Sequence, residues 1–544
     1  MKEIWNTKKR NAVDVLILDG YVDEPSLLGV PPYISPEPRL LAGVAECEGL
    51  DWEYLTADEY RRHGLPKAKA ILLHGGVTVP GKYLVATPLS EKEASNIANQ
   101  RSETFLGGPL ARYGEVDGFD HYVEKDLSAY FFETLKGTPK DRWITPKERE
   151  LWSVQGARVV RRHPMFPDPL IAEVSMYRGC PRYFTGGCEF CTEPDYGKPN
   201  FRDQEEILSE VKELYSLGVK HFRLGGQSCT LSYKSKGIGR KETPIPQPRE
   251  VISLFKNLNE ECPRIKVLHT DNANPAVISE YPRRARKILN GLVRYTTPGN
   301  ILALGMESAD ENVIEVNNLN STPDQVEKAI TMINESGAEK GANGMPELLP
   351  GLNFLGGLSG ETPETYERNM EFLRRIRERG LWLRRINIRQ VLSHNEEFKM
   401  EQRSEFRKFK KRVREEIERP LLMEMFPKGT VIRRVYMEKR EGKKTFGRQI
   451  GTYPLLVGVR YPLKTGRYYD ILVTEYGYRS ITGIHHPFTL TEASYEQLQA
   501  IPGVGEKRAA KIFRHRPSTK EELDEIIENG KNLLKYVSFN PSHD

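Results

Sequence analysis

Cysteine is scarce in this chain: six occur in 544 residues, and three of those fall within one stretch of twelve. The other three, Cys47, Cys229 and Cys262, stand at no ligand spacing and read as buried packing residues. Long hydrophobic runs are missing as well. None approaches the roughly 18 residues that span a membrane, and the basic segment 1–10 leads only into a short apolar strand at 15–18. The expectation is a cytoplasmic protein with no membrane partner. With 38% hydrophobic and 29% charged residues, the chain reads as soluble and multidomain, long enough for about three or four cores.

Against that background the cysteine triplet stands out. It reads Cys180-Pro-Arg-Tyr-Phe-Thr-Gly-Gly-Cys188-Glu-Phe190-Cys191, and it follows an apolar run at 170–177 that would hold the first thiolate at a strand's C-terminal end. Three thiolates can hold three corners of a four-iron four-sulfur cluster and leave one iron open for a reactant. Cys-x-x-Cys is also zinc spacing, so the triplet alone leaves open a zinc site short of one ligand. Downstream, apolar runs at 219–224, 265–269, 301–306, 352–358 and 386–392 alternate with helical stretches at about 203–216, 246–260, 275–290, 323–337 and 363–379. With the strand before Cys180 these make six β/α units over 165–395. The prediction is a parallel sheet buried on both faces and closed as a partial (β/α)6 TIM barrel.

In such barrels the chemistry sits at the C-terminal strand ends. Here the second strand ends in Gly225-Gly226-Gln227 and the third in His269-Thr-Asp271-Asn272. The fourth ends in Gly305-Met306-Glu307-Ser308, and the fifth in Gly356-Gly-Leu-Ser-Gly-Glu361-Thr362. Each of these segments alone is a common turn or cap. Together and in this order, after the triplet, they resemble the radical S-adenosylmethionine (SAM) superfamily. The usual cysteine spacing there is three residues then two, whereas this chain has seven then two; Phe190 keeps the family's aromatic before the last ligand. The resemblance implies a 4Fe-4S cluster on Cys180, Cys188 and Cys191, with SAM on the open iron. It also implies cofactor contacts from Phe190, Gly225, Gly226, Gln227, Asn272, Glu307 and Gly356. Gln227 stands where the family has glutamate, keeping an acceptor and dropping the charge. Cys229 and Asp271 are the candidate catalytic residues, and a reductant such as ferredoxin is the implied electron source.

Residues 1–150 carry apolar strands ending in Gly or Asp, at Asp19-Gly20, His74-Gly75-Gly76 and Gly107-Gly108, which predicts an open doubly wound α/β domain. It resembles the flavodoxin-like domain of cobalamin-dependent radical SAM enzymes and of methylthiotransferases. No Asp-x-His-x-x-Gly stretch supplies an axial imidazole, and no second cysteine triplet is present, so cobalamin is a possible cofactor and a domain without one is the alternative. Segment 19–40, with Asp23, Glu24, Pro25, Pro31, Pro32, Pro36 and Pro38, reads as a rigid loop reaching toward the active site.

After the barrel the charge shifts. Residues 401–450 hold sixteen Lys or Arg against eight Asp or Glu, a net of +8 in a chain of net +6. Segment 396–440 reads as a basic helical linker, with Phe406, Phe409 and Val413 on one face of a helix at 403–419 and Arg407, Lys408, Lys410, Lys411 and Arg414 on the others. Alternating residues over 441–487 predict a small antiparallel barrel similar to the TRAM domain, an OB-like RNA-binding module, with Tyr468, Tyr478 and Arg479 able to stack on bases. Residues 488–544 contain Ile501-Pro-Gly503-Val-Gly505-Glu-Lys507-Arg508, which matches a helix-hairpin-helix motif whose amides face a phosphate. The nucleic-acid candidates are Lys410, Lys411, Arg414, Arg479, Gly503, Gly505, Lys507 and Arg508. The whole resembles an archaeal-type radical SAM protein. It implies reductive cleavage of SAM to a 5′-deoxyadenosyl radical and modification of an RNA, with a tRNA base first in line. Two alternatives stand beside it: a cobalamin-dependent radical methylase of a small molecule, lipid or protein, and a nucleic-acid-binding protein with a structural cluster.

Overall fold

The computed structural model describes residues 12–22, 29–76, 86–391 and 398–539. They pack as two compact units, the first made of 1–180, 195–228 and 249–271 and the second of 181–194, 229–248 and 272–544. Asp23, Glu24 and Pro25 of the proline-rich segment lie outside the described residues. Among the described residues no helix is long and apolar enough to cross a membrane.

The first unit opens with strands β1 (Val13–Asp19), β2 (Tyr33–Ile34), β3 (Trp52–Thr56), β4 (Ala68–His74), β5 (Glu103–Gly107) and β6 (His121–Val123). Five of them form a parallel sheet in the order β3-β1-β4-β5-β6. The strands are continuous apolar runs because both faces are covered: Leu16, Ile17, Leu18, Leu72, Leu73, Phe105 and Leu106 are all fully buried. The covering helices start where the sequence supplies caps. Thr56 with Glu59, Ser90 with Glu93 and Thr145 with Glu148 each form a reciprocal capping box. Helix Glu37–Cys47 crosses Pro146–Gln155 so closely that a Cβ on Gly43 would lie 2.1 Å from the Trp152 carbonyl oxygen, a contact that only glycine permits.

Strand β2 leaves this sheet. It pairs in parallel with β7 (Ile171–Ser175), Tyr33 opposite Ile171, so part of the segment read as a loop is a strand. Its prolines at 31, 32, 36 and 38 mask a two-residue pairing from any periodicity. Strand β8 (Tyr177–Arg178) pairs with β9 (Asn200–Phe201), and β10 (His221–Gly225) lies between β7 and β11 (Val267–Thr270). Beneath them Arg39 is fully buried; its guanidinium donates to Glu210 at 2.9 Å and to the Glu173 carbonyl, and Glu210 pairs on with Arg202 at 2.7 Å. Removing one member of such a set strands the others without a partner in a water-free site. Arg39→Met is expected to cost about 3 kcal/mol, read as a lower urea midpoint.

In the second unit β12 (Asn300–Glu307), β13 (Leu348–Gly356) and β14 (Arg385–Gln390) form a parallel sheet, and Ala273 bridges in parallel to Leu304 of β12. A closed five-stranded barrel follows, β15 (Val431–Glu441), β16 (Lys444–Gln449), β17 (Leu455–Val459), β18 (Arg467–Tyr476) and β19 (Ser480–His486), in the order β15-β16-β17-β19-β18. Its first strand lies inside the segment read as a helical linker at 396–440, which corrects that boundary: the small barrel begins at Val431, not 441. A register shift between Ile432 and Val435, with Arg433 and Arg434 both outward, breaks the alternation that marks a strand. The basic helix runs as Arg403–Arg412, a π turn at Val413–Glu418 and Arg419–Met425. Pro420, without an N–H, sits just beyond the widened turn.

Candidate functional site

The loop that carries Cys188 and Cys191 is held by contacts far away in sequence. Arg182, only 3% exposed, donates through Nη1 to the Cys188 sulfur at 3.2 Å and to the Asn318 carbonyl at 2.9 Å, and through Nη2 to Asn318 Oδ1 at 2.8 Å. Asn318 Nδ2 donates to the Gly187 carbonyl at 2.6 Å, and the Glu189 amide to the Asn317 carbonyl at 3.2 Å. Asn317 in turn exchanges two bonds with Ser359. The Cys191 amide donates to the Cys188 carbonyl at 2.9 Å, closing the Cys-x-x-Cys turn. Phe190 packs against Val313, Leu358 and Val391. Cys180, Cys188 and Cys191 are half-buried and form no disulfide. A guanidinium on one sulfur favours its thiolate. Arg182, Asn317 and Asn318 are absent from the sequence reading, and only the position of Arg182 inside the cysteine stretch offered a signal for them.

At the end of β10 the glycine pair serves packing. A Cβ on Gly225 would lie 2.4 Å from Glu173 Oε1, and Gly226 has φ +74°. Glu173, Arg223 and Asp271 form a fully buried ion triad on β7, β10 and the end of β11, with Arg223 Nη1 donating to Glu173 Oε2 at 2.6 Å and Nη2 to Asp271. Asp271 is thereby engaged by a cation. Gln227 is fully buried and turns its amide nitrogen to the Leu224 carbonyl at 2.8 Å. Cys229 is buried too; its sulfur accepts from the Asn274 amide at 3.3 Å, and burial pushes its thiol pKa up. The Asn272 carbonyl accepts from the Thr230 amide at 2.8 Å.

Glu307 differs from all of these. It ends β12 at a register shift with φ +58°, a left-handed conformation that costs a non-glycine residue about 1–2 kcal/mol. Among the described residues no cation pairs with it, and burial pushes its carboxyl up to about 8. A raised carboxyl holds its proton more tightly in the folded chain than in the unfolded one, so its contribution to stability is present at acid pH and is lost as pH rises toward 8. Glu307→Gln is expected to leave cofactor-free stability unchanged near pH 4.5 and to raise it at pH 8, as read by denaturant melts at both. Gly356, at the end of β13, is met by Phe406 of the basic helix at 2.6 Å from its hypothetical Cβ.

That helix and the small barrel enclose a groove of about 630 Å3 lined by Arg403, Phe406, Arg407, Lys410, Lys411, Arg414, Glu415 and Tyr478, together with Gln390 at the end of β14. One carboxylate faces five cations. Lys410 has its pKa pushed down by burial, then by the charges of Arg414 and Arg479. Arg384 is lowered to about 10, by burial first and then by Arg479 and Arg385, and its Nε and Nη2 are buried without hydrogen-bond partners. Arg479 itself pairs with Glu418 at 2.9 Å. Tyr478 is 49% exposed, whereas Tyr468 is half-buried with Arg434 over its ring.

The C-terminal hairpin joins helices Tyr495–Gln499 and Glu506–His515. Nothing lies within 4 Å of a Cβ at Gly503 or Gly505, so the turn is open to a ligand. Leu498, Ile501, Val504, Ala509, Ile512 and Leu523 close its underside. Lys507 is exposed, and Arg508 instead donates to the Gly503 carbonyl at 3.0 Å, bracing the turn.

Comparison with known proteins places the chain. The family model described as Radical SAM superfamily matches residues 174–373, and that described as Helix-hairpin-helix motif matches 489–515. The chain belongs to the radical SAM superfamily. Its full-length relatives include an uncharacterized protein of Methanocaldococcus jannaschii, 44% identical over 86% of this chain and 92% of that protein. An uncharacterized protein of Archaeoglobus fulgidus is 38% identical over 96% and 98%. A tRNA-2-methylthio-N(6)-dimethylallyladenosine synthase of Buchnera aphidicola is 24% identical over 37% of this chain and 41% of that one. Among solved structures, the radical SAM methyltransferase TsrM of Kitasatospora setae matches with TM-score 0.45 at 13% identity, over 70% of this chain and 73% of that one.

A radical SAM enzyme implies a 4Fe-4S cluster and SAM, and the donor set here fits them. Three reduced thiols lie in one loop, with a cation hydrogen-bonded to one sulfur. Among the described residues no group of three His, Cys, Asp or Glu side chains is placed to hold a single metal ion. A cluster takes thiolates at separate corners. With no cation beside it among the described residues, the buried Glu307 carboxyl would be drawn to ionise by a cationic ligand.

Proposed function

We propose that this radical SAM enzyme modifies a nucleic acid, with a tRNA base as the substrate. The observation that carries the reading is the groove beside the end of β14, where five cations face one carboxylate and Lys410 is lowered first by burial and then by the charges of Arg414 and Arg479. Crowded cations are relieved by a polyanion, and phosphodiesters supply one with a base to stack on the exposed Tyr478. The open helix-hairpin-helix turn adds a second, sequence-blind phosphate contact. The partial relative named as a tRNA methylthio synthase points to the same substrate class.

Cys180, Cys188 and Cys191 would hold the cluster in this reading, while Arg182 donates a hydrogen bond to the Cys188 sulfur. By the superfamily resemblance we assign SAM contacts to Gly226, Gln227, Asn272 and Glu307, and Phe190 seats the loop. The cluster, when bound, would supply the single electron for reductive cleavage of SAM, radical chemistry able to reach hydrogen on an unactivated carbon. Acid and base groups at neutral pH cannot do that step. Cys229 and Asp271 remain candidates for later proton or group transfer; burial keeps the first a thiol. The test is to incubate reconstituted protein with SAM, reductant and unmodified tRNA, then digest the RNA and weigh its nucleosides. A nucleoside of new mass that needs all three supports the reading, and unchanged nucleosides alongside SAM cleavage refute the RNA substrate.

One observation favours the cobalamin-dependent methylase as a second reading. His74 ends β4 at the point where the β3-β1-β4-β5-β6 order reverses, the usual ligand crevice of such sheets. It is 5% exposed, neither ring nitrogen has a hydrogen bond although Glu37 Oε2 lies 3.8 Å from Nε2, and burial pushes its pKa down. A neutral imidazole with an open nitrogen is a cobalt ligand in waiting, although no Asp-x-His-x-x-Gly stretch is present. Corrinoid absorbance retained by the native protein and lost in His74→Ala supports it.

A further inference from the structure

A short basic hairpin sits on the cluster loop. Residues 236–245, which leave the Gly-Gly-Gln end of β10 through Cys229, close by backbone pairing of Lys236 with Ile245. At its tip Gly239, with φ +77°, lies against the Tyr183 hydroxyl, 2.8 Å from where a Cβ would stand. Glu242 pairs with Arg182 at 3.4 Å, and Arg182 bonds the Cys188 sulfur. The hairpin is anchored on its other side by Thr243 on Glu280 and by Tyr281, whose hydroxyl donates to the Thr243 carbonyl at 3.2 Å. The result is a firm platform, not a loose loop. Lys236, Arg240 and Lys241 stand exposed on it, and Lys236 and Arg240 pair with no carboxylate among the described residues. Beside them Phe184, four residues from Cys188, exposes 41% of its surface and packs edge-on against Tyr183.

We infer that this hairpin and Phe184 form the docking surface for an acidic one-electron carrier protein. The inference rests on the cluster reading above, because a reductive cleavage needs one electron delivered per event. That electron leaves the reduced centre of the carrier and enters the cluster; the carrier is oxidised by one electron, and no bond, proton or group changes hands. The surface suits a brief encounter of this kind. Unpaired cations steer a partner of opposite charge and raise its on-rate, and a lone apolar ring supplies contact without a large buried area, as in weak electron-transfer complexes. A nucleic acid is the less favoured occupant. The open phosphate-binding turn and the stacking groove lie elsewhere on the chain, and what adjoins this platform is the sulfur-bearing loop.

The experiment uses the full-length, cluster-loaded protein with a reduced acidic ferredoxin as the probe, following loss of cluster absorbance after rapid mixing. The expected second-order rate falls about tenfold between low and 0.5 M salt. Lys236→Glu with Arg240→Glu lowers it about tenfold at low salt, while reduction by dithionite and affinity for tRNA keep their native values. Ferredoxin reacting with the variant at the native rate overturns the proposal, and so does a loss of tRNA affinity in the variant. Native protein whose cluster is reduced by ferredoxin but which cleaves no SAM overturns the radical reading and leaves the docking surface standing.

Discussion

Cys188→Ser is expected to leave less than about a thousandth of native SAM cleavage, the scale of loss when a member of a catalytic unit is removed. The same holds for Cys180 and Cys191, because three thiolates with one open iron leave no spare ligand. The more discriminating variant is Arg182→Ala. Its guanidinium bonds the Cys188 sulfur and both oxygens of Asn318, the backbone carbonyl and Oδ1, so its loss frees the loop and removes the cation that favours the thiolate. Partners of a ligating group typically cost 10–100-fold in affinity when removed. Arg182→Ala should therefore take up iron and show a cluster spectrum, yet lose the cluster to chelator about 10–100 times faster. Arg182→Lys should recover only part of this, since an ammonium cannot bond the sulfur and Asn318 together. Iron analysis and absorbance after timed exposure to chelator read the difference.

Replacing Arg407, Lys411 and Arg414 together by alanine should weaken tRNA binding roughly 30- to 100-fold and lower the slope of log affinity against log salt by about two to three. All three are exposed, line one face of the groove and make no ion pair that the fold needs, so stability should stay within about 0.5 kcal/mol. Tyr478→Ala should cost about 1–3 kcal/mol of binding, as lost base stacking does, without changing the salt slope. Native salt slope in the triple variant would show that the phosphates lie elsewhere, with the hairpin turn at Gly503 and Gly505 as the next place to look.

The superfamily was legible in the sequence because its signals are local. Three cysteines in twelve residues, a glycine pair after a strand and Pro-Gly-Val-Gly between two helices each show within a dozen positions. What escaped was long-range or irregular. Arg182 reaches Asn318 across more than a hundred residues, and no local pattern announces that clasp. Strand β15 hid behind a bulge and two outward arginines. Strand β2 was two residues among prolines. The resemblance implies cofactor contacts at Gly225 and Gly356, and where a side chain would stand at each the nearest atoms are the Glu173 carboxylate and the Phe406 ring; a sequence shows that a side chain is missing, not what fills its place. The strained backbone of Glu307 is likewise invisible to residue type, since glutamate there looks like any strand end.

One measurement bears most directly on the account. Cluster-loaded protein is mixed with SAM and dithionite under argon, and 5′-deoxyadenosine is counted with and without unmodified tRNA. The account predicts deoxyadenosine in both mixtures and several-fold more with tRNA, with the increment abolished in the Arg407, Lys411 and Arg414 triple variant. No deoxyadenosine from protein carrying a full cluster would contradict it, and would make the chain a nucleic-acid-binding protein whose cluster is structural.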